Sequence, residues 1–238
     1  MNTRRYRRAR ERSGRAHAPA QAPAHPPLYR SPAVLGVSIV ALAAAFALIF
    51  LGGAETPATP LASQLPALRA TGNSLGAEAA PVTVEVWSDF QCPYCRIFAQ
   101  GAQRQLIQTS VAQGRAKLVH RSFAFLGPES ELAAQAADCA GEQGRFFDYH
   151  DKLFAEQKGE NKGAYAKDNL KRFAVQLGLA PSFDACLESG RYAADVRSER
   201  EAGQQKGVRA TPTIFVNGQK FEGALSFEEL RRAVDAAR

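Results

Sequence analysis

Two cysteines with two residues between them, Cys92-Pro93-Tyr94-Cys95, carry the most specific chemistry in this chain. At that spacing the two sulfurs can close a small disulfide ring or stand open as a dithiol. The residues around them decide how reactive they are. An alternating run, Val82-Thr83-Val84-Glu85-Val86, leads into Trp87-Ser88-Asp89-Phe90-Gln91, and a helical pattern follows from Arg96. The period of two predicts a strand and places the cysteines at a helix start. Free backbone N–H groups and the positive end of the helix dipole stabilise negative charge there. A thiolate is such a charge, so Cys92 is expected to be acidic and nucleophilic at neutral pH. Pro93 suits the first turn, where its missing N–H costs nothing. Cys92 thus reads as the attacking sulfur and Cys95 as the resolving one.

Structural zinc is the competing use of such a pair. Zinc sites take their ligands as close pairs. The remaining cysteines, Cys139 and Cys186, do not form one, and no histidine pair stands at ligand spacing. No metal is therefore expected. A purely structural Cys92–Cys95 bridge is also disfavoured, because so short a ring constrains little of the unfolded chain.

The elements that must position this motif follow in order. Arg96 to Ala112 reads as a helix with Ile97, Phe98, Leu106 and Ile107 as its buried stripe. Lys117 to Phe125 reads as a second strand, ended by Gly127-Pro128. From about 129 to 207 the pattern is helical, with breaks at Gly159-to-Gly163 and Gly178-to-Pro181. Phe146, Phe147, Tyr149, Leu153 and Phe154 crowd one of these helices and predict its core face. Ala210-Thr211-Pro212-Thr213-Ile214-Phe215-Val216 is a strand introduced by proline. Asn217-Gly218 is a strong hairpin signal, with Gln219 to Glu222 as partner strand. Ser226, with Glu228 and Glu229, caps a last helix that includes Leu230 and Val234.

The first third of the chain has a different character. The net charge of +7 suggests nucleic acid until it is divided. Residues 1–53 hold eight arginines against the single acid Glu11, which accounts for the whole excess, so the folded part has no charge support for a nucleic-acid role. Residues 1–31 read as a disordered basic cytoplasmic tail, and His17 and His25 in it are assigned nothing. Ala33 to Leu51 is an uncharged run of nineteen residues, about 28 Å long as a helix and close to the ~30 Å hydrocarbon core. Residues 32–53 are therefore expected to be a single-pass transmembrane anchor, arginines inside, with everything after it outside the cytoplasm. A cleaved signal peptide ending at Gly52-Gly53-Ala54 is the alternative, although the run exceeds the usual ~7–15-residue signal core. Residues 54–74, with Pro57, Pro60 and Pro66, read as a Pro/Ala-rich linker. The folded domain is expected over 75–238. An even number of cysteines suits an oxidising compartment.

Strand, CxxC at a helix start, strand, helical block, Thr-Pro, hairpin and closing helix is the element order of an α/β thioredoxin-like fold with a helical insertion. Trp87-Ser88-Asp89-Phe90-Gln91-Cys92-Pro93-Tyr94-Cys95, taken with Gly207-Val208-Arg209-Ala210-Thr211-Pro212-Thr213-Ile214-Phe215-Val216-Asn217-Gly218, resembles the DsbA family of thiol–disulfide oxidoreductases, and within it the membrane-anchored extracytoplasmic members. The resemblance implies that Pro212 is a cis-proline beside the active-site disulfide that helps hold substrate peptide, and that Thr211 faces the sulfurs. It implies that Cys139 and Cys186 form a second, structural disulfide; buried free thiols are the other reading. It implies no cofactor beyond the redox-active disulfide, exported proteins as substrates, and reoxidation by a quinone-linked membrane thiol oxidase. Related proteins often carry a buried acid before the motif that handles protons for the second cysteine. Glu85 is the candidate, with a register shifted by one residue; on alternation alone a solvent-facing side chain is equally compatible. His120 and His150 are expected to pack or hydrogen-bond rather than catalyse.

Two departures bear on direction. The best-known DsbA has histidine at the position of Tyr94 and valine at that of Thr211, whereas threonine before the cis-proline is similar to the disulfide isomerases. A monomeric oxidase is the expectation; a reductase or isomerase of the same fold is the alternative, and a membrane-tethered binding module without turnover is the non-enzymatic one.

Overall fold

Strand β3 (Val82–Ser88) is the axis of the domain. Val82, Val84 and Val86 are fully buried on one face, as the period of two requires. The computed structural model describes residues 70–238. The expected tail (1–31), the anchor (32–53) and most of the linker lie outside the described residues. Among the described residues no helix is long and apolar enough to cross a membrane.

In chain order the elements are β1 (Ala70–Thr71), β2 (Ser74–Leu75), β3, helix α1, β4 (Ala116–Ser122), α2 (Pro128–Gly141), α3 (Phe146–Ala155), α4 (Lys167–Gln176), α5 (Ser182–Ser189), α6 (Ala193–Gln205), β5 (Thr213–Val216), β6 (Gln219–Glu222) and α7 (Phe227–Ala236). Helix α1 is α-helical over Pro93–Phe98 and Arg104–Leu106, with π-type turns over Ala99–Gln103 and Ile107–Val111. The strands form one six-stranded sheet in the order β1-β2-β4-β3-β5-β6. Strands β3 and β4 are parallel, joined through α1; β5 runs antiparallel to β3, and β6 to β5. This is the α/β thioredoxin-like order, with α2 to α6 inserted between β4 and β5.

Three local features differ from the sequence expectations. Ahead of the expected domain start at 75, residues 70–75 already form a short hairpin whose second strand pairs with β4, Leu75 opposite Leu118. Strand β4 ends at Ser122, since the backbone amides of Phe125 and Leu126 turn to a carboxylate instead of a neighbouring strand. Ile97 is 59% exposed: the helix starts at Pro93 and its π-type turns carry the buried line through Cys95, Phe98, Ala102, Leu106, Ile107 and Val111. That leaves Ile97 beside exposed Tyr94, one turn back on the solvent face.

Elsewhere the local signals match. Asn217 and Gly218 both adopt positive φ, 45° and 86°, as a two-residue hairpin of this hand demands. Ser226 caps α7 in a capping box with Glu229. Phe146, Phe147, Tyr149, Leu153 and Phe154 are all buried. Cys139 of α2 and Cys186 of α5 are joined by a disulfide, Cα–Cα 5.9 Å. On the other face of the sheet, α6 comes close at Gly203, where a Cβ would lie 2.7 Å from Trp87 and Phe123.

Candidate active site

The β3 chain leaves the sheet at Ser88 and turns through Asp89, with Cys92 N–H donating to the Asp89 carbonyl at 3.0 Å. Cys92 is the N-cap residue of α1, with extended backbone (φ −72°, ψ 122°) and Pro93 following in the first turn. Opposite it, the Thr211–Pro212 peptide bond is cis. The Cys92 thiol donates to the Thr211 carbonyl oxygen at 3.3 Å. The sheet explains this meeting: Trp87 of β3 lies opposite Thr213 of β5, so the residues just before 213 sit where the cysteine loop emerges. Cys92, Cys95, Thr211 and Pro212 are thus brought together, and Pro93 and Tyr94 span the two sulfurs with Tyr94 exposed.

The two thiols are driven apart in acidity. The Cys95 thiol hydrogen-bonds to the Cys92 sulfur and is the largest cause of a Cys92 pKa lowered from 9.0 to about 6. Burial opposes this, while the Thr211 side chain and the N–H groups of Cys95 and Tyr94 add to it. The Thr211 hydroxyl oxygen is buried and has no other hydrogen-bond partner. Cys95 goes the other way. Burial pushes its pKa well up, the neighbouring Cys92 charge pushes it further, and the Ser88 hydroxyl and Asp89 amide only partly offset this. Both sulfurs are free in this structure. The outer one is ready to attack or be attacked, and the inner one holds a proton.

Glu85 is placed elsewhere. It is ion-paired with Arg121 at 3.3 Å and Lys206 at 2.7 Å. Burial raises its pKa, but these two cations outweigh that and hold it below the usual range. Ser88, three residues on, touches Cys95; residues an odd number apart on a strand point to opposite faces. Glu85 therefore lies across the sheet from the dithiol, and no hydrogen bond joins it to either cysteine. His120 is buried, stacked on Phe90 at 5.2 Å between centroids, with neither ring nitrogen hydrogen-bonded. His150 pairs with Asp151 at 2.9 Å and Gln103 at 3.4 Å.

Asp89 is the residue that sequence reasoning passed over. It is 1% exposed. One carboxylate oxygen accepts from Gln91 N–H at 2.8 Å and the Ser130 hydroxyl at 2.6 Å; the other accepts from the amides of Phe125 and Leu126 at 2.9 and 3.1 Å. The charge is thereby absorbed and the cysteine loop tied to the β4–α2 turn. Its bond to the amide two residues on is an Asx turn, the one local signal that points to it. Among the described residues no cluster of three or more His, Cys, Asp or Glu side chains is placed to hold a metal ion, and with Cys139 and Cys186 bonded to each other neither is available to join Cys92 and Cys95 on zinc.

An acidic cysteine at a helix N-terminus, a buried partner one turn on and a cis-proline opposite define the class of thioredoxin-like dithiol proteins. The thioredoxin family model matches residues 69–236. The chain belongs to that family. It is 38% identical over 165 residues to "Na(+)/H(+) antiporter NhaA 3" of Salinispora tropica, a match covering 68% of this chain but only 24% of that protein. The chain thus spans about a quarter of the length of these curated relatives. It is 26% identical over 172 residues to "Disulfide bond formation protein D" of Bacillus subtilis, covering 68% of this chain and 74% of that one. The solved structure of oxidised BdbD from Bacillus subtilis shares the fold, with a TM-score of 0.65 at 24% identity over 70% of this chain and 92% of that one.

Proposed function

We propose that the chain is an extracytoplasmic thiol oxidase, anchored by residues 33–51, that introduces disulfides into exported proteins. The observation that carries this is the split in acidity between Cys92 and Cys95. A stabilised Cys92 thiolate favours the reduced enzyme, and a pair that prefers to be reduced is an oxidant toward other thiols.

The exchange balances as follows. A substrate thiolate attacks Sγ of Cys92 in the Cys92–Cys95 disulfide. The Cys92–Cys95 bond breaks, and Cys95 leaves with the electron pair and takes up a proton, as its raised pKa favours. A second substrate thiolate attacks the substrate sulfur of the mixed disulfide. The substrate gains its disulfide, and Cys92 leaves as the stabilised thiolate. Two electrons have passed to the enzyme, and a quinone-linked membrane thiol oxidase removes them. The cis Thr211–Pro212 segment supports a substrate bound as a short extended strand beside Cys92. Exposed Tyr94, Ile97 and Phe125 offer apolar contacts to an unfolded chain. The match to part of proteins named as antiporters supports a domain that works at a membrane.

The test is the potential of the Cys92–Cys95 couple in glutathione buffers, read through Trp87, the sole tryptophan. Reference values are about −270 mV for thioredoxin and about −120 mV for DsbA. A potential toward the upper value is expected. One near thioredoxin's would make the protein a reductase, and a pair that does not cycle would make it a binding module. Thr211, the type found in isomerases, is the observation that favours the second enzymatic reading, and refolding of a scrambled-disulfide substrate separates it.

A further inference from the structure

The stretch between α3 and α4, residues 156–166, forms no helix, yet it is bound at several points to the cysteine loop. The Gln157 side-chain amide donates to the carbonyl of Phe90 at 2.7 Å and to that of Cys92 at 3.1 Å. Asn161 donates its backbone N–H to the Gln91 side chain and its side-chain amide to the Leu126 carbonyl. The Tyr165 hydroxyl reaches the Phe90 carbonyl at 3.0 Å. The stretch is itself held in place. Gly163 and Tyr165 donate their amides to the Glu129 carboxylate at 2.7 and 2.8 Å. Gly127 packs so closely on Asn161 that a Cβ there would sit 2.5 Å from its Nδ2. Sliding this strap would break all of these bonds together.

Gln157 matters most, because it acts on the nucleophile's own residue. Cys92 is an N-cap with no side-chain cap bond. Its carbonyl begins the helix ladder by accepting from Arg96 N–H at 3.2 Å. The same oxygen takes the Gln157 donor. A fixed Cys92 carbonyl fixes the rotation of the peptide after it, and so the direction in which the Tyr94 and Cys95 amides face the sulfur. The donor also withdraws negative charge from a carbonyl close to a thiolate. We infer that the strap Gln157–Tyr165 holds the redox loop in its thiolate-stabilising geometry, with Gln157 as the positioning residue that tunes Cys92. The inference rests on the reading of Cys92 as the nucleophile and deepens it: the helical insertion, rather than the CxxC motif alone, sets part of the oxidising power.

The test uses the full reduced chain, following thiolate absorbance against pH and the equilibrium with glutathione. Gln157→Leu removes both donors. It should weaken Cys92 acidity about three- to tenfold, the worth of one hydrogen bond, and shift the glutathione equilibrium toward the oxidised enzyme by a similar factor. Gln157→Lys keeps a donor and adds positive charge, so it should leave Cys92 as acidic as in the wild type or more so. A merely structural residue would move both variants the same way in a thermal melt and neither in the titration. If Gln157→Leu does not accumulate folded, Gln157→Met carries the same test, since its thioether offers neither carbonyl a donor and adds no charge. A folded Leu or Met variant within twofold of wild type overturns the strap's role alone. A wild-type Cys92 of ordinary thiol acidity overturns the reading beneath it as well.

Discussion

The Cys92 thiol and the Thr211 carbonyl meet at 3.3 Å although 119 residues separate them in the chain. The helix start supplies amides that favour a charged sulfur, and the cis-proline loop supplies backbone beside it where an incoming chain can lie. Neither half would make a disulfide exchanger alone. Their meeting depends on β5 pairing antiparallel with β3 after a long helical insertion.

The first prediction concerns pH. The Cys92 pKa is lowered from 9.0 to about 6, so its ionised form stabilises the folded, reduced protein. That contribution is complete above about pH 9 and fades as pH falls toward 6; below that it is gone. Chemical denaturation of the reduced chain should therefore show stability rising from pH 6 to 9 relative to Cys92→Ser. Alkylation by iodoacetamide should follow the same ionisation with a midpoint near pH 6. A midpoint near 9 would remove the basis for catalysis.

Replacing Asp89 should be costly. Asp89→Ala leaves the amides of Gln91, Phe125 and Leu126 and the Ser130 hydroxyl without their acceptor in a buried place. Each orphaned buried donor costs about 1–3 kcal/mol, so a loss of at least about 3 kcal/mol is expected in urea unfolding, together with slower exchange. A change below 1 kcal/mol would mean the loop is not held by this carboxylate.

Glu85→Gln should leave exchange nearly intact. Glu85 lies across β3 from Cys95 and is committed to Arg121 and Lys206. The pH profile of the resolving step, followed by release of a mixed disulfide, is expected to match wild type. A shifted acidic limb would restore Glu85 as the proton carrier for Cys95.

The Cys139–Cys186 bridge should matter to stability and not to redox chemistry. It closes a loop across a sequence separation of 47 residues, worth about 4 kcal/mol in the chain-entropy picture. Cys139→Ala with Cys186→Ala should lower the unfolding free energy by up to that amount. The potential of Cys92–Cys95, measured in glutathione buffer below the melting range, should not move.

Much of this protein is written in short-range patterns. A period of two predicts β3, Asn217-Gly218 predicts the hairpin, and Ser226 with Glu229 predicts the capping box; each depends on residues within a few positions, so each is legible along the chain. The CxxC motif belongs with them, because the Cys95 thiol and the Tyr94 and Cys95 amides that favour the Cys92 thiolate all lie within three positions of it. Tertiary structure decided the rest. Ile97 faces solvent because Cys95 and Phe98 take the buried side of the first turns of α1, a choice made by packing and not by the apolar character of Ile97. Strand alternation turns Glu85 away from the dithiol, and only the fold brings Arg121 and Lys206 to it there. Asp89 and Gln157 act on the cysteine loop through partners 36 to 67 positions away, and contacts at that range exist only once the sheet and the helical insertion have closed on each other.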